Sequence, residues 1–346
     1  MRDFKATFRL LAILSFCALL IANSACKGTS ATPRVPPPAK STLVAVGDIL
    51  LGRSLGARME KSRDFAEPFR EIAPLLQQAD LTFGNLEGPF CEKPPYPAEG
   101  MTFRVRPTAI EALRFAGFDV MSAANNHMGD GGNACLEFTI SHLASVNILA
   151  IGSGKSYADA HAPAILVRRG VRFAFLGYTY ADRNDHADSK QPVVAGRNPE
   201  NVRRDVAVAL LNADAVIVSL HDGAEYTRRV APETAEFAHA AIDAGAVLVL
   251  GHHPHVPQRI EQYKHGWIFY SLGNFVFQQY TPPGTQHAIV ARVTFSGARV
   301  ERVEALPAVI QYHSRPRPAS SGESARILPP IGLSSPNVDP PWPKGW

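Results

Sequence analysis

Along the chain, short apolar runs alternate with longer stretches in which apolar residues recur every three to four positions. Leu43-Val44-Ala45-Val46, Leu81-Thr82-Phe83, Val120-Met121-Ser122-Ala123, Ala215-Val216-Ile217-Val218-Ser219-Leu220 and Ala246-Val247-Leu248-Val249-Leu250 are compact and mostly apolar, with many β-branched residues. Such runs suit strands buried on both faces, the usual condition in a parallel sheet. Helical periodicity marks residues 65–78, 107–115, 136–144, 199–211 and 232–244. Several of these begin near a proline, whose missing N–H would have no helical partner in the first turn anyway. Residues 165–167, 171–176, 267–270, 289–295 and 300–306 are again β-rich. This order predicts parallel βα units first and antiparallel pairing late, an α/β chain.

Ligands of open α/β sheets gather beyond the carboxyl ends of the strands, and each of the five runs ends in ligand-type residues. The first closes with Gly47-Asp48 and leads to Arg53, and the second runs into Asn85-Leu86-Glu87-Gly88-Pro89. The third meets Asn125-Asn126-His127 with Asp130 behind it. The fourth ends in His221-Asp222 and the fifth in Gly251-His252-His253-Pro254-His255. Taken singly, Gly-Asp reads as a turn, Asn-Asn as an Asx-turn and His221 as a helix cap. Five strand ends that each deliver a carboxylate, an amide oxygen or an imidazole argue instead for one metal centre. His253 and His255 stand two apart, so in an extended segment both rings point the same way.

In this order the motifs resemble those of the calcineurin-like metallophosphoesterase superfamily. Gly47-Asp48-Ile49-Leu50-Leu51-Gly52-Arg53, Asn85 to Pro89, Ala124-Asn125-Asn126-His127, Gly251 to Val256 and Tyr270-Ser271-Leu272-Gly273-Asn274-Phe275-Val276-Phe277 resemble the CapA family, which is associated with poly-γ-glutamate capsule biosynthesis. The likeness runs from about residue 41 to about residue 305. It implies a four-layer α/β/β/α sandwich, two mixed sheets flanked by helices, over residues 41–313. It also implies Asp48, Glu87, Asn126, His221, His253 and His255 as ligands of two divalent ions, with Glu87 the natural bridge and His127 the proton donor. Oxygen donors mixed with imidazoles suit manganese, iron or zinc. Arg53, Arg104 and Asn125 lie in or just after these motifs and are candidate substrate contacts. A guanidinium fork suits carboxylate or phosphate, and surface ion pairing is the alternative for the two arginines and for Arg106. Tyr178 and Tyr226 either line a pocket or cap the core.

The chain departs from the pattern at three points. Leu50 stands where the superfamily usually has a second ligand, a His two residues after the Asp, which leaves one ion short of a protein ligand. Asp222 stands where CapA-like proteins often have Trp, an added carboxylate able to bind metal or to repel an anion. Which of His252 and His253 binds is open, and the spacing to His255 favours His253.

Of the 346 residues, 46% are hydrophobic and 19% charged, enough for one large core. Arg2, Lys5 and Arg9 less Asp3 supply two of the four units of net positive charge, so the remainder is near neutral. No basic stripe with interleaved aromatics predicts a nucleic-acid partner. Those basic residues precede an apolar run over 10–22, too short to span a membrane but suited to a secretory signal over 1–25. Ser24-Ala25-Cys26 resembles a lipoprotein processing site that would leave Cys26 lipidated and the protein on the cell envelope; plain secretion after Ala25 is the alternative. Residues 26–40, with Pro33 and Pro36-Pro37-Pro38, read as an extended tether. Residues 314–346 read as a poorly packed tail. Cys91 and Cys135, each following a site motif, could approach and pair in an oxidising compartment, two free thiols being the alternative.

Two functions fit. One is metal-assisted hydrolysis or transfer on a phosphoester or an anionic γ-glutamyl polymer, which His127 favours because a binding site needs no proton donor. The other is a non-catalytic subunit that guides an anionic polymer through a membrane synthesis and export complex, which Leu50 favours.

Overall fold

The computed structural model describes residues 38–312 and 314–332. The signal, Cys26 and nearly all of the tether lie outside the described residues, as do residues 333–346. Two large mixed sheets face one another. In the first, the strands lie in the order Arg315–Pro318, Arg299–Gln311, His287–Ser296, Lys40–Ile49, Leu81–Leu86, Val120–Ser122 and Leu149–Ile151, with Asn274–Val276 pairing the end of Lys40–Ile49. The last four of that order are mutually parallel and the first four antiparallel. In the second sheet the order is Ile260–Tyr263, Gly266–Phe269, Leu248–His252, Ala215–His221, Val171–Thr179 and Ala164–Arg168, parallel in the middle and antiparallel at both edges.

Strand alternation builds the layers. Leu43 and Ala45 join Leu81, Phe83, Phe173, Phe175, Ile217 and Leu250 in the apolar layer between the sheets. Val44 and Val46 face the other way, into a core shared with the helices Arg53–Ser62, Ala73–Gln77 and Ile110–Ala116. The outer face of the second sheet is covered by Pro199–Ala209 and Pro232–Asp243 through Val202, Val206, Phe237 and Ala241. The result is the expected α/β/β/α sandwich.

Three expectations fail locally. The helix expected over 65–78 forms only as Ala73–Gln77, the preceding residues being turns; Pro68 and Pro74 remove two amide donors that a continuous helix would need. Lys40, assigned to the tether, already pairs with Ser296 in the sheet. The tail expected to be poorly packed from 314 is instead ordered through residue 332. Arg315–Pro318 forms the edge strand, where prolines are tolerated because one side of the strand needs no donor. Ser321–Ile327 then forms a helix with a Ser320–Glu323 capping box, burying Ile327, Leu328 and Ile331 in the inter-sheet layer.

Cys91 and Cys135 form a disulfide. A side chain at Gly131 would clash with both sulfurs, so the bond packs directly against the loop that carries Asp130.

Candidate metal centre

Close backbone approach brings the strand ends together. A Cβ at Gly47 would lie 1.8 Å from the Gly273 carbonyl oxygen, so glycine is what lets Asp48 N donate to that oxygen at 3.0 Å. Gly251 does the same on the second sheet, where a Cβ would lie 2.1 Å from the Tyr270 carbonyl oxygen. Register then aligns Asp48 with Asn85 and Asn274, and His252 with His221. Beyond Gly251 the backbone is not extended as predicted: His253 has φ 95° and His255 φ 58°. The two imidazoles still converge, 6.0 Å between ring centroids, but through left-handed residues that are costly for non-glycines.

Asp48, Glu87 and His221 are fully buried, and each offers a ligand-type atom within 4.8 Å of the others; Glu225, His253 and His255 form a second such set. Neither carboxylate oxygen of Glu87 has a hydrogen-bond partner. The His255 Nε2 is 3.7 Å from it. Burial, reinforced by the charge of Asp48, raises the Glu87 pKa well above the carboxylate range. Buried polar groups in folded proteins are nearly always paired, so two orphaned oxygens amid imidazoles and a second carboxylate fit a divalent cation as their partner.

The neighbours are fixed by one another. Burial acts to raise the Asp48 pKa, yet His252 and His255, at 3.5 and 3.4 Å, hold it well below the usual range. Asn85 donates to Asp48 Oδ1 at 2.9 Å. Burial opposes the charged form of His255, but Glu87 and Asp48 prevail and lift it to about 9, while its Nδ1 donates to Asn274 Oδ1 at 2.8 Å. Burial and the charge of His255 push His253 down to about 4. Burial and His253 likewise hold His221 well below its ordinary value. Its neutral ring accepts from Asn85 at 3.2 Å on Nδ1 and donates from Nε2 to Asn126 Oδ1 at 2.9 Å.

His127 lies against this cluster without joining either set. Its Nδ1 donates to Asp130 Oδ2 at 2.8 Å and its ring stacks on Phe103 with centroids 3.7 Å apart. Asp130 also accepts from the Phe103 amide at 2.6 Å. The ring is therefore held in one tautomer and one plane.

The predicted residues separate. Asp48, Glu87, Asn126, His221, His253 and His255 come together. Asn125, expected to touch substrate, is buried and spends its amide on Asn85 Oδ1 and the Leu86 carbonyl, while its Oδ1 accepts from the His127 amide; it positions the motif instead. Arg104 is not at the site: it donates to Lys93 O at 2.8 Å and lies 3.3 Å from Cys91 Sγ, beside the disulfide. Strand-like alternation explains this, since Phe103 and Val105 are the buried positions and Arg104 and Arg106 face the other way. Arg53 does lie by the centre, its guanidinium 4.4 Å from the Phe103 ring centroid. Asp222 is engaged by Thr234 at 2.7 Å and Arg197 at 3.2 Å. Tyr178 caps the core, donating to Asp205, whereas Tyr226 stacks 6.0 Å from His255. His252 and His253 both approach the cluster, His252 through Asp48 and His253 through His255 and Glu225. Asn85, Asn274, Glu225 and Asp130 had no assigned role in the sequence, although each lies in or beside a site motif. Asn85 sits two residues from Glu87 and so on its side of the strand, which was the available signal.

Two mixed sheets between helical layers, with carboxylates and imidazoles converging at strand ends, make this a metallophosphoesterase-like sandwich. The family described as bacterial capsule synthesis protein PGA_cap matches residues 42–279. The chain is 35% identical over 250 residues to the capsule biosynthesis protein CapA of Bacillus anthracis, covering 69% of this chain and 60% of that one. It is 33% identical over 258 residues to the PGA biosynthesis protein CapA of Bacillus subtilis, covering 73% and 68%. The chain belongs to this CapA family. Among solved structures, the calcineurin-like phosphoesterase YfkN of Bacillus subtilis is similar at 11% identity and a TM-score of 0.42, over 84% of this chain and 96% of that one.

Proposed function

We propose that this protein acts in the synthesis or export of a poly-γ-glutamate type of polymer, through a di-metal hydrolytic centre. The observation that carries the reading is the buried Glu87, whose two unpartnered oxygens lie among Asp48, His221, His253 and His255. Membership of the capsule synthesis family and the names of the two Bacillus relatives support the polymer.

Asp48, Glu87 and His221 would hold one ion, and Glu225, His253 and His255 would hold or complete a second, with Asn126 adjoining through His221. Such ions, when bound, supply Lewis-acid polarisation of a phosphoryl or carbonyl oxygen. The chain's own contribution is positional. Asp130 accepts from His127 Nδ1 and aims the ring, which leaves Nε2 to exchange a proton with a leaving oxygen or nitrogen. Asn125 holds the His127 backbone, and Phe103 covers one ring face. Asn85 ties Asp48 to His221 across the two sheets.

A second reading, a subunit that holds the polymer without cleaving it, is favoured by Leu50. It is buried in the helix-side core, so that position offers no ligand. The secretory signal and a lipidated Cys26 complete the proposal by setting the protein on the cell envelope; Cys26→Ser should shift it from the membrane fraction, and unchanged partition would count against the anchor. The deciding experiment measures metal content by elemental analysis together with turnover of phosphodiesters and γ-glutamyl chains. Turnover that disappears in His127→Gln with metal retained supports the enzyme. A fully metallated protein that turns over neither, yet binds the polymer, supports the guiding subunit.

A further inference from the structure

We propose that a groove running from Arg53 past Ser54 and Gln278 to Tyr312 holds the chain of a linear polymer bearing repeated carboxylates and amides, and feeds it to the metal centre. This rests on the polymer reading above and adds where the chain lies.

Two cavities, of about 480 and 370 Å³, share Ser54 and Gln278 in their walls and so adjoin, the inner and outer parts of the proposed groove. The inner cavity is bounded by Arg53, Gly100 and Met101, the outer by Arg58, Tyr280 and Tyr312. At the inner end, Arg53 and His127 contact the same aromatic ring, Phe103, at 4.4 and 3.7 Å from its centroid. The inner end of the groove therefore lies against the same ring as the proton donor, and the charge of Arg53 is felt by Glu87.

The groove's chemistry selects its occupant. Arg53 donates to the Gln278 carbonyl at 3.3 Å and to the Gly100 carbonyl, both neutral, while its Nε is buried without a partner. Among the described residues it makes no ion pair, although Glu99 also lines the inner cavity, so its charge is available to a carboxylate. Ser54 donates to Gln278 Oε1 at 2.6 Å, and the Gln278 amide nitrogen can donate to a chain carbonyl. Tyr280 and Tyr312 stack at 6.0 Å and offer apolar faces to methylene groups, with Tyr312 70% exposed. A cation, an amide pair and an aromatic step in file match the repeating unit of such a chain better than they match a compact phosphoester, which needs one anion site only.

The test uses the metallated full chain, poly-γ-glutamate of defined length and the γ-glutamyl dipeptide as probes, and calorimetric titration. Gln278→Glu keeps the acceptor for Ser54 but puts an anion in the groove; Tyr312→Glu does so at a position that is 70% exposed. Each should weaken long-chain binding roughly tenfold and reduce its salt dependence, with dipeptide affinity moving less than about twofold and metal content unchanged. Long-chain affinity equal to wild type in both variants overturns the groove while leaving the metal-centre reading intact. A wild-type protein that binds no chain of any length overturns both. Should Gln278→Glu misfold, Tyr312→Glu decides alone.

Discussion

Replacing Glu87 by Met should make the metal-free protein more stable and destroy its response to metal. Glu87 is wholly buried, with neither oxygen bonded, and leaving a buried acceptor unsatisfied costs about 1–3 kcal/mol, more for a charged group. Charge counting points the same way. Burial and Asp48 push Glu87 towards its protonated form, so removing it strands no charge and leaves the Asp48–His255 pair at 3.4 Å intact. Breaking a buried pair is ordinarily destabilising because it strands a charge; here the second carboxylate prevents that. Met has a similar length and no polar atom, so little packing is lost. Urea unfolding in chelator should therefore show Glu87→Met more stable than wild type by about 1–3 kcal/mol. Adding manganese or zinc should raise the wild-type unfolding temperature, as any ligand of the native state does, and leave the variant unmoved. If the variant were less stable than wild type in chelator, or kept a full metal-induced rise, Glu87 would be a structural acid and the metal centre would be misassigned.

Other outcomes follow from the same contacts. His127→Gln should retain metal while turnover falls by about 10²–10⁴, and equal loss of metal would refute the division between ligands and proton donor. Cys91→Ser opens a loop of 44 residues and should cost about 4 kcal/mol on the chain-entropy estimate, read from urea midpoints with and without reductant; an unchanged midpoint would refute it. His161 is buried between Asp185 and Asp205 at 2.8 and 2.6 Å; burial opposes its charge, but the two carboxylates raise its pKa to about 9. A raised folded pKa means that this stabilisation is complete below the unfolded value of 6.5 and is lost as pH climbs through 9, so wild type should lose stability relative to His161→Asn between pH 6 and pH 10. Parallel pH curves for the two proteins would contradict this.

Much of the centre was legible because strand ends in an α/β sheet are where chemistry can be placed. Five short apolar runs each met ligand-type residues, and the sheets do bring Asp48, Glu87, Asn126, His221, His253 and His255 together. The layers were legible for a related reason. Runs such as 43–46 and 215–220 are apolar at every odd and even position but one, which only strands covered on both faces require.

What the sequence hid depends on direction and pairing, not on composition. Arg104 follows a site motif by only fifteen residues, yet alternation turns it to the disulfide, because Phe103 and Val105 claim the buried side. Residues 315–318 look like a linker, since two of four are proline, but an edge strand tolerates missing donors, and Ala319, Ile327, Leu328 and Ile331 bury where the two sheets would otherwise be open. His253 and His255 converge through left-handed backbone that a period-two reading cannot contain. Such strain is kept only where surrounding structure overdetermines it, and here it is held by Gly251 against Tyr270, by Asp48 against His255 and by Asn274 against the same ring. The fold thus spends its least favourable backbone where the candidate ligands meet, which is where strain has a use.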